Sequence, residues 1–147
     1  TTMKSVYLFL LAFCVPLILA AQAGKSVTKN DGPLISVSDT ISLGEIFVND
    51  LSDEHGKINI KITNSGNKPL ILKNVTGCCG TNVKSWPKAP ILPGKDALIF
   101  VEFRTEPRPQ KISRTITVES NASNNKVVKV AITGVVIEKR GSNEISL

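Results

Sequence analysis

Lys57-Ile58-Asn59-Ile60-Lys61-Ile62-Thr63 alternates polar and apolar residues without a break. In an extended chain successive side chains point to opposite faces, so Ile58, Ile60 and Ile62 share one side. The period is two, not the 3.6 of a helix. This stretch reads as a strand with one buried face. Just beyond it, Asn64-Ser65-Gly66-Asn67-Lys68-Pro69 is a turn cluster in which glycine and asparagine can take positive φ. Residues 70–75 form the next strand. Upstream, residues 34–37 and 41–48 open the domain. Downstream, a long connection over 77–94 carries Cys78-Cys79, Trp86 and the prolines at 87, 90 and 93. Strands are then predicted over 97–103, 112–118 and 126–137, with alternation again clear at Ile116-Thr117-Val118 and along 128–132. About seven short strands between turn clusters, with no amphipathic helix, predict an all-β fold: a single sandwich over 34–138. Phe47, Trp86, Phe100 and Phe103 read as core.

The chain has 147 residues, a length that suits one domain. Its N-terminus does not read as part of that domain. Lys4 supplies a positive charge, residues 6–21 are apolar or small, and Ala21-Gln22-Ala23 offers the small-x-small pattern of a cleavage site. Residues 1–23 therefore read as a signal peptide cut before Gly24. As a helical anchor the apolar run would reach about 24 Å, short of the roughly 30 Å hydrocarbon core, and Pro16 interrupts it. Leu11-Ala12-Phe13-Cys14 imitates a lipidation site, but Phe13 stands where a small residue is needed. Cys14 reads instead as a small hydrophobe within the apolar run. Export to the periplasm or the exterior, with no transmembrane anchor after cleavage, is the expectation. Residues 24–33 (GKSVTKNDGP) read as a flexible leader and 139–147 as a loose polar tail.

Charge and composition exclude several classes. Lysine and arginine total 18 against 12 acidic residues, but Lys57, Lys61, Lys68, Lys73, Lys84, Lys88 and Lys95 come at intervals. A nucleic-acid surface wants a clustered basic stripe with interleaved aromatics, so no nucleic-acid partner is expected. The only histidine, His55, lies in Asp53-Glu54-His55-Gly56, which reads as an exposed turn. No nucleophile, base and orienting group can be assembled around it, and no glycine-rich phosphate loop follows a strand. Asp53 and Glu54 are adjacent, so their side chains diverge. The expectation is a non-enzymatic protein without a cofactor. Asn74-Val75-Thr76 and Asn121-Ala122-Ser123 fit the N-glycosylation pattern, which matters only in a eukaryotic secretory route.

The succession of Ile62-Thr63-Asn64-Ser65-Gly66-Asn67-Lys68-Pro69-Leu70-Ile71-Leu72, Gly77-Cys78-Cys79-Gly80-Thr81 and the run from Trp86 to Gly94 resembles that of the exported, Ig-like bacterial family catalogued as domain of unknown function 1573. Ile62-Thr63-Asn64-Ser65-Gly66-Asn67-Lys68-Pro69-Leu70-Ile71-Leu72 stands where that family has F-x-N-T-G-N-x-P-L-x-I. Gly77-Cys78-Cys79-Gly80-Thr81 stands for its S-C-G-C-T, and the run from Trp86 to Gly94 for its W-x-x-x-P-I-x-P-G. Ile99 to Phe103, Thr115 to Asn121 and Val130 to Val136 resemble its closing strands. The resemblance implies an Ig-like sandwich, an exported location and no enzymatic activity. One departure is plain: the family separates its cysteines by a glycine, whereas Cys78 and Cys79 are adjacent and followed by Gly80.

In an exported chain a cysteine pair invites a disulfide. Adjacent Cα atoms lie about 3.8 Å apart, below the roughly 4.4–6.8 Å that relaxed disulfides span, so a Cys78–Cys79 bond would be strained. Three readings stay open: a structural or incidental pair, labile redox thiols that can link two chains into a dimer, or a soft-metal site. Lys84 nearby can favour a thiolate, and thiolates suit a soft metal such as Cu(I), whereas a closed zinc site wants four ligands. Trp86, between prolines, is either a plug at one end of the sandwich or a contact for a partner. The leading expectation is an envelope or periplasmic interaction or structural module with an unidentified protein partner. The alternative is a thiol-redox or soft-metal-binding protein using Cys78 and Cys79.

Overall fold

The computed structural model describes residues 31–139, so the segment read as a signal peptide, Cys14, most of the leader and nearly all of the tail lie outside the described residues. The alternating stretch forms β3 (Lys57–Asn64), with Ile60 and Ile62 fully buried. It pairs antiparallel with β6 (Asp96–Glu102), from Lys57 opposite Glu102 to Thr63 opposite Asp96. A two-residue β1 (Ile35–Ser36) flanks β3 and β5 (Asn82–Ser85) flanks β6, giving one sheet of order β1-β3-β6-β5. The second sheet, of order β2-β8-β7-β4, contains β2 (Thr40–Phe47), β4 (Leu72–Gly77), β7 (Gln110–Ser120) and β8 (Val127–Ile137). Here β7 and β8 make the longest antiparallel ladder, and β2 joins β8 in parallel. Gly44, at φ 70, sits in the register shift between Ser42 and Glu45 that bends β2.

Two sheets with one apolar face each must bury those faces against one another. Ile60, Ile62, Ile99 and Val101 from the first sheet join Ile116, Val118, Val130, Ile132 and Val136 from the second in one core. Burying each such side chain stabilises the fold by about 1.5–3 kcal/mol. The all-β sandwich expected from the alternation, Ig-like as the resemblance implies, is thus the fold. Among the described residues no helix is long and apolar enough to cross a membrane.

Four details differ from the sequence reading. The connection over 77–94 holds a strand, β5, whose only apolar residue is Val83; alternation cannot reveal it, because it forms by filling the open edge of β6. Phe47 and Phe100 are exposed rather than core, while Phe103 is buried. Phe100 lies between buried Ile99 and Val101, so strand parity turns it outward. Gly66 and Asn67 do not take positive φ. Gly66 is required for closeness instead: a Cβ there would overlap the carbonyl oxygen of Gly32 and the amide nitrogen of Leu34. Finally, residues 31–33 are tied to the domain although they were read as the end of a flexible leader. Gly32 N–H donates to Asn67 Oδ1 (2.8 Å), Pro33 O accepts from Ser123 N–H (2.8 Å), and Asp31 pairs with Lys68 (3.0 Å).

The turn that follows β3 is organised by one buried polar side chain. Asn64 has no solvent exposure. Its Nδ2 donates to Lys68 O (2.8 Å) and Ile91 O (2.9 Å), and its Oδ1 accepts from Gly66 N–H (3.0 Å) and Leu34 N–H (3.4 Å). Its backbone adds bonds to Lys95 O and from Gly94 N–H. All four hydrogen-bonding positions of the amide are used, which is what a buried asparagine needs to avoid a desolvation penalty. Asn121 and Asn124 repeat the device, bridging the backbone at Pro69 and Ile71 and at Ile35. The amide of Asn121 is therefore engaged within the fold.

Candidate functional site

Asn64 and the cysteine pair lie at opposite ends of the sandwich. Asn64 adjoins the Thr63–Asp96 end of the β3–β6 ladder, while the cysteines precede Asn82, which pairs with Glu102 at the other end. β4 ends at Gly77, and Cys78-Cys79-Gly80-Thr81 turns back from it with Thr81 N–H donating to Cys78 O (3.1 Å). Cys79 and Gly80 both have positive φ, 57 and 76, as in the type I′ turn. Gly80 bears this without strain. Cys79 does not, and it is the only non-glycine residue with positive φ among the described residues. Gly77 allows the tight return, since a Cβ there would overlap the carbonyl of Thr81.

The thiols are free and both are exposed. Cys78 is gripped by β7: its N–H donates to Thr115 O (2.9 Å), and its Sγ accepts from Thr115 N–H (3.2 Å). The neighbouring Cys79 thiol, with the Thr115 amide and the Arg114 charge, holds the Cys78 thiol below the ordinary range. Its neighbour Cys78 pushes the Cys79 thiol up. The Thr115 amide bonds Cys78 alone, which fixes the order of the two.

Arg114 was not legible as a site residue, yet it has a signature. Along β7, Ile112, Ile116 and Val118 are buried at even positions, and Arg114 interrupts that series. Parity places it on the core side, at the sandwich end. Its guanidinium lies 5.5 Å from the centre of the Phe103 ring, and its Nε is buried without a hydrogen-bond partner. Lys84, expected to act on the thiols, is instead paired with Glu102 at 2.9 Å. Arg114 supplies the positive charge.

The remaining candidates disperse. Trp86 is half-buried against the core, with Lys88 Nζ 3.0 Å above the ring centre, as suits a plug. His55 caps the short turn Asp53–Gly56, its Nδ1 accepting from Ser52 N–H at 3.1 Å. Among the described residues no group of three or more His, Cys, Asp or Glu side chains converges as a metal site. On the outer face of β6, Leu98 and Phe100 are 43% and 41% exposed. Around Phe100 lies a depression of about 390 Å³, lined by Glu54, Lys57, Asn59, Lys84 and Glu102 among others.

Two packed sheets of this order, with β2 parallel to β8, define an Ig-like sandwich module. The chain belongs to the family described as Protein of unknown function (DUF1573), whose profile matches residues 37–136. No curated protein matches the chain significantly. Among solved structures it is similar to a protein of unknown function from Porphyromonas gingivalis W83, at 20% identity and TM-score 0.57, over 77% of this chain and 51% of that one. It is also similar to part of the secreted serine protease VesC from Vibrio cholerae (15% identity, TM-score 0.51, 70% of this chain and 23% of that chain). A third is the ASH/PapD-like domain 7 of human CEP192 (11% identity, TM-score 0.50, 78% and 93%). The chain thus spans about half of the first protein and a quarter of the second. At these identities the likeness is one of fold.

Proposed function

We propose that the chain is exported to the periplasm or the cell exterior and works there as a non-enzymatic interaction module of the envelope. The observation that carries this reading is the exposure of Leu98 and Phe100 in the middle of a sheet face. An outward face of an antiparallel sheet is ordinarily polar, and β3 supplies Asn59 opposite Phe100 and Lys61 opposite Leu98. The neighbouring charges are satisfied within the chain, Lys61 by Asp96 (2.7 Å) and Lys84 by Glu102 (2.9 Å). The apolar pair therefore sits inside a ring of neutralised charge, the pattern of an apolar contact with a polar rim. A protein partner presenting apolar side chains fits it.

The test is site-specific photo-crosslinking in intact cells, with the crosslinker placed at Phe100, at Leu98 and at exposed Lys129 on the other sheet. A discrete crosslinked species from 98 and 100 but not from 129, lost in a folded Leu98→Ser/Phe100→Ser chain whose crosslinker stands at Asn59, is expected. Equal labelling from all three positions would overturn the reading. Mass analysis of the exported chain should find Gly24 at its N-terminus.

A further inference from the structure

We propose that Cys78 is a thiol–disulfide exchange nucleophile that captures an accessible disulfide as a lasting mixed disulfide, with Cys79 as a bystander rather than its resolving thiol. Four observations carry this. Both sulfurs are solvent-exposed and unbridged. Cys78 Sγ has a backbone donor, the Thr115 amide at 3.2 Å. The Cys78 backbone is fixed to β7 at 2.9 Å, so the sulfur is presented at a defined position. Arg114, with its unpartnered Nε, brings a positive charge to the same end of the sheet. Thiolates near cations and amide donors are the reactive form of cysteine. The direction of the thiol's shift agrees with the geometry.

The step balances simply. The Cys78 thiolate attacks one sulfur of a disulfide R–S–S–R; a Cys78–S–S–R bond forms, the original S–S bond breaks, and RS⁻ leaves to take a proton from water. Cys78 is thereby oxidised to the disulfide level, and the departing sulfur is reduced to a thiol. Resolution would require Cys79 to attack the Cys78 sulfur and close a ring between adjacent residues. Their Cα atoms are about 3.8 Å apart, below the roughly 4.4–6.8 Å of relaxed disulfides. Cys79 is already held at φ 57. Ring closure is therefore opposed, and the mixed disulfide persists. The turn is built to attach, not to cycle. This inference is independent of the Phe100 surface: either can fail without the other.

The experiment uses oxidised glutathione and the reduced, exported chain carrying Cys14→Ser, so that any retained N-terminal segment adds no thiol. Intact mass and peptide mapping should find one glutathione per chain, on Cys78. Cys78→Ser should abolish the adduct, and Cys79→Ser should retain it. Near pH 7, iodoacetamide should modify Cys78 about three- to tenfold faster than Cys79, the margin set by thiolate fraction and tempered by the lower nucleophilicity of a more acidic thiol. Arg114→Met should slow the alkylation of both thiols while leaving the chain folded. Loss of two hydrogens without an adduct, an adduct mainly on Cys79, or equal alkylation of the two thiols would each overturn the proposal.

Discussion

Asn64 and Cys78 both stand where a strand gives way to a turn, at opposite ends of the same sandwich, and their surroundings contrast. Asn64 is wholly buried, and its amide is saturated by four backbone groups from three segments. Cys78 is exposed and its hydrogen bonds go to its own turn and to Thr115, and the adjoining Arg114 on β7 has a buried Nε without a partner. A saturated buried amide leaves nothing for a ligand to gain. An exposed thiol beside an incompletely bonded guanidinium, with only Nη1 donating to Ser113 O (3.3 Å), leaves a good deal. The comparison teaches where stability is concentrated and where chemistry remains available.

Substitutions can break this contrast, beginning where the effect is greatest. Asn64→Ala strands buried donors and acceptors, and should cost on the order of 3 kcal/mol in urea unfolding. Gly66→Ala forces residues 32–34 off the turn, with an expected loss of about 2 kcal/mol by the same measurement. At the other end the signs change. Arg114→Met removes an imperfectly satisfied inward polar group, so stability should hold or rise by about 1 kcal/mol. Cys79→Gly relieves a left-handed backbone and should gain about 0.5–1 kcal/mol, read as a higher urea midpoint at unchanged slope. The smallest effect belongs to the exposed Asp96. Lys61 and Thr63 hold its carboxyl below the ordinary range. A depressed carboxyl contributes fully above the unfolded value of about 3.9 and loses its contribution as pH falls through the folded value. Asp96→Asn should therefore differ from the parent chain in full above about pH 4 and less and less as pH falls below it, with a difference that shrinks in high salt.

The sandwich was legible because its core strands obey a period of two: β3, β6, β7 and β8 can be read from Ile60, Ile62, Ile99, Val101, Ile116, Val118, Val130 and Ile132. β5 was hidden because Asn82-Val83-Lys84-Ser85 has no pattern and owes its form to the edge of β6. Gly66 was visible as a necessary glycine, but for the wrong reason, since close approach to Gly32 leaves no mark in local sequence. The cysteine pair was legible as a candidate, and its asymmetry was not. That asymmetry comes from the Thr115 amide, 37 residues further on. Arg114 could have been suspected from its place in the inward series Ile112, Ile116, Val118.

The most direct test sets both ends against each other in one urea-unfolding measurement: the parent chain, Asn64→Ala and Cys78→Ser/Cys79→Ser under reducing conditions. The expected result is a loss of about 3 kcal/mol for Asn64→Ala and a change within about 0.5 kcal/mol for the double serine chain. A double serine chain as destabilised as Asn64→Ala would contradict the division of labour, and would make the thiol turn part of the scaffold.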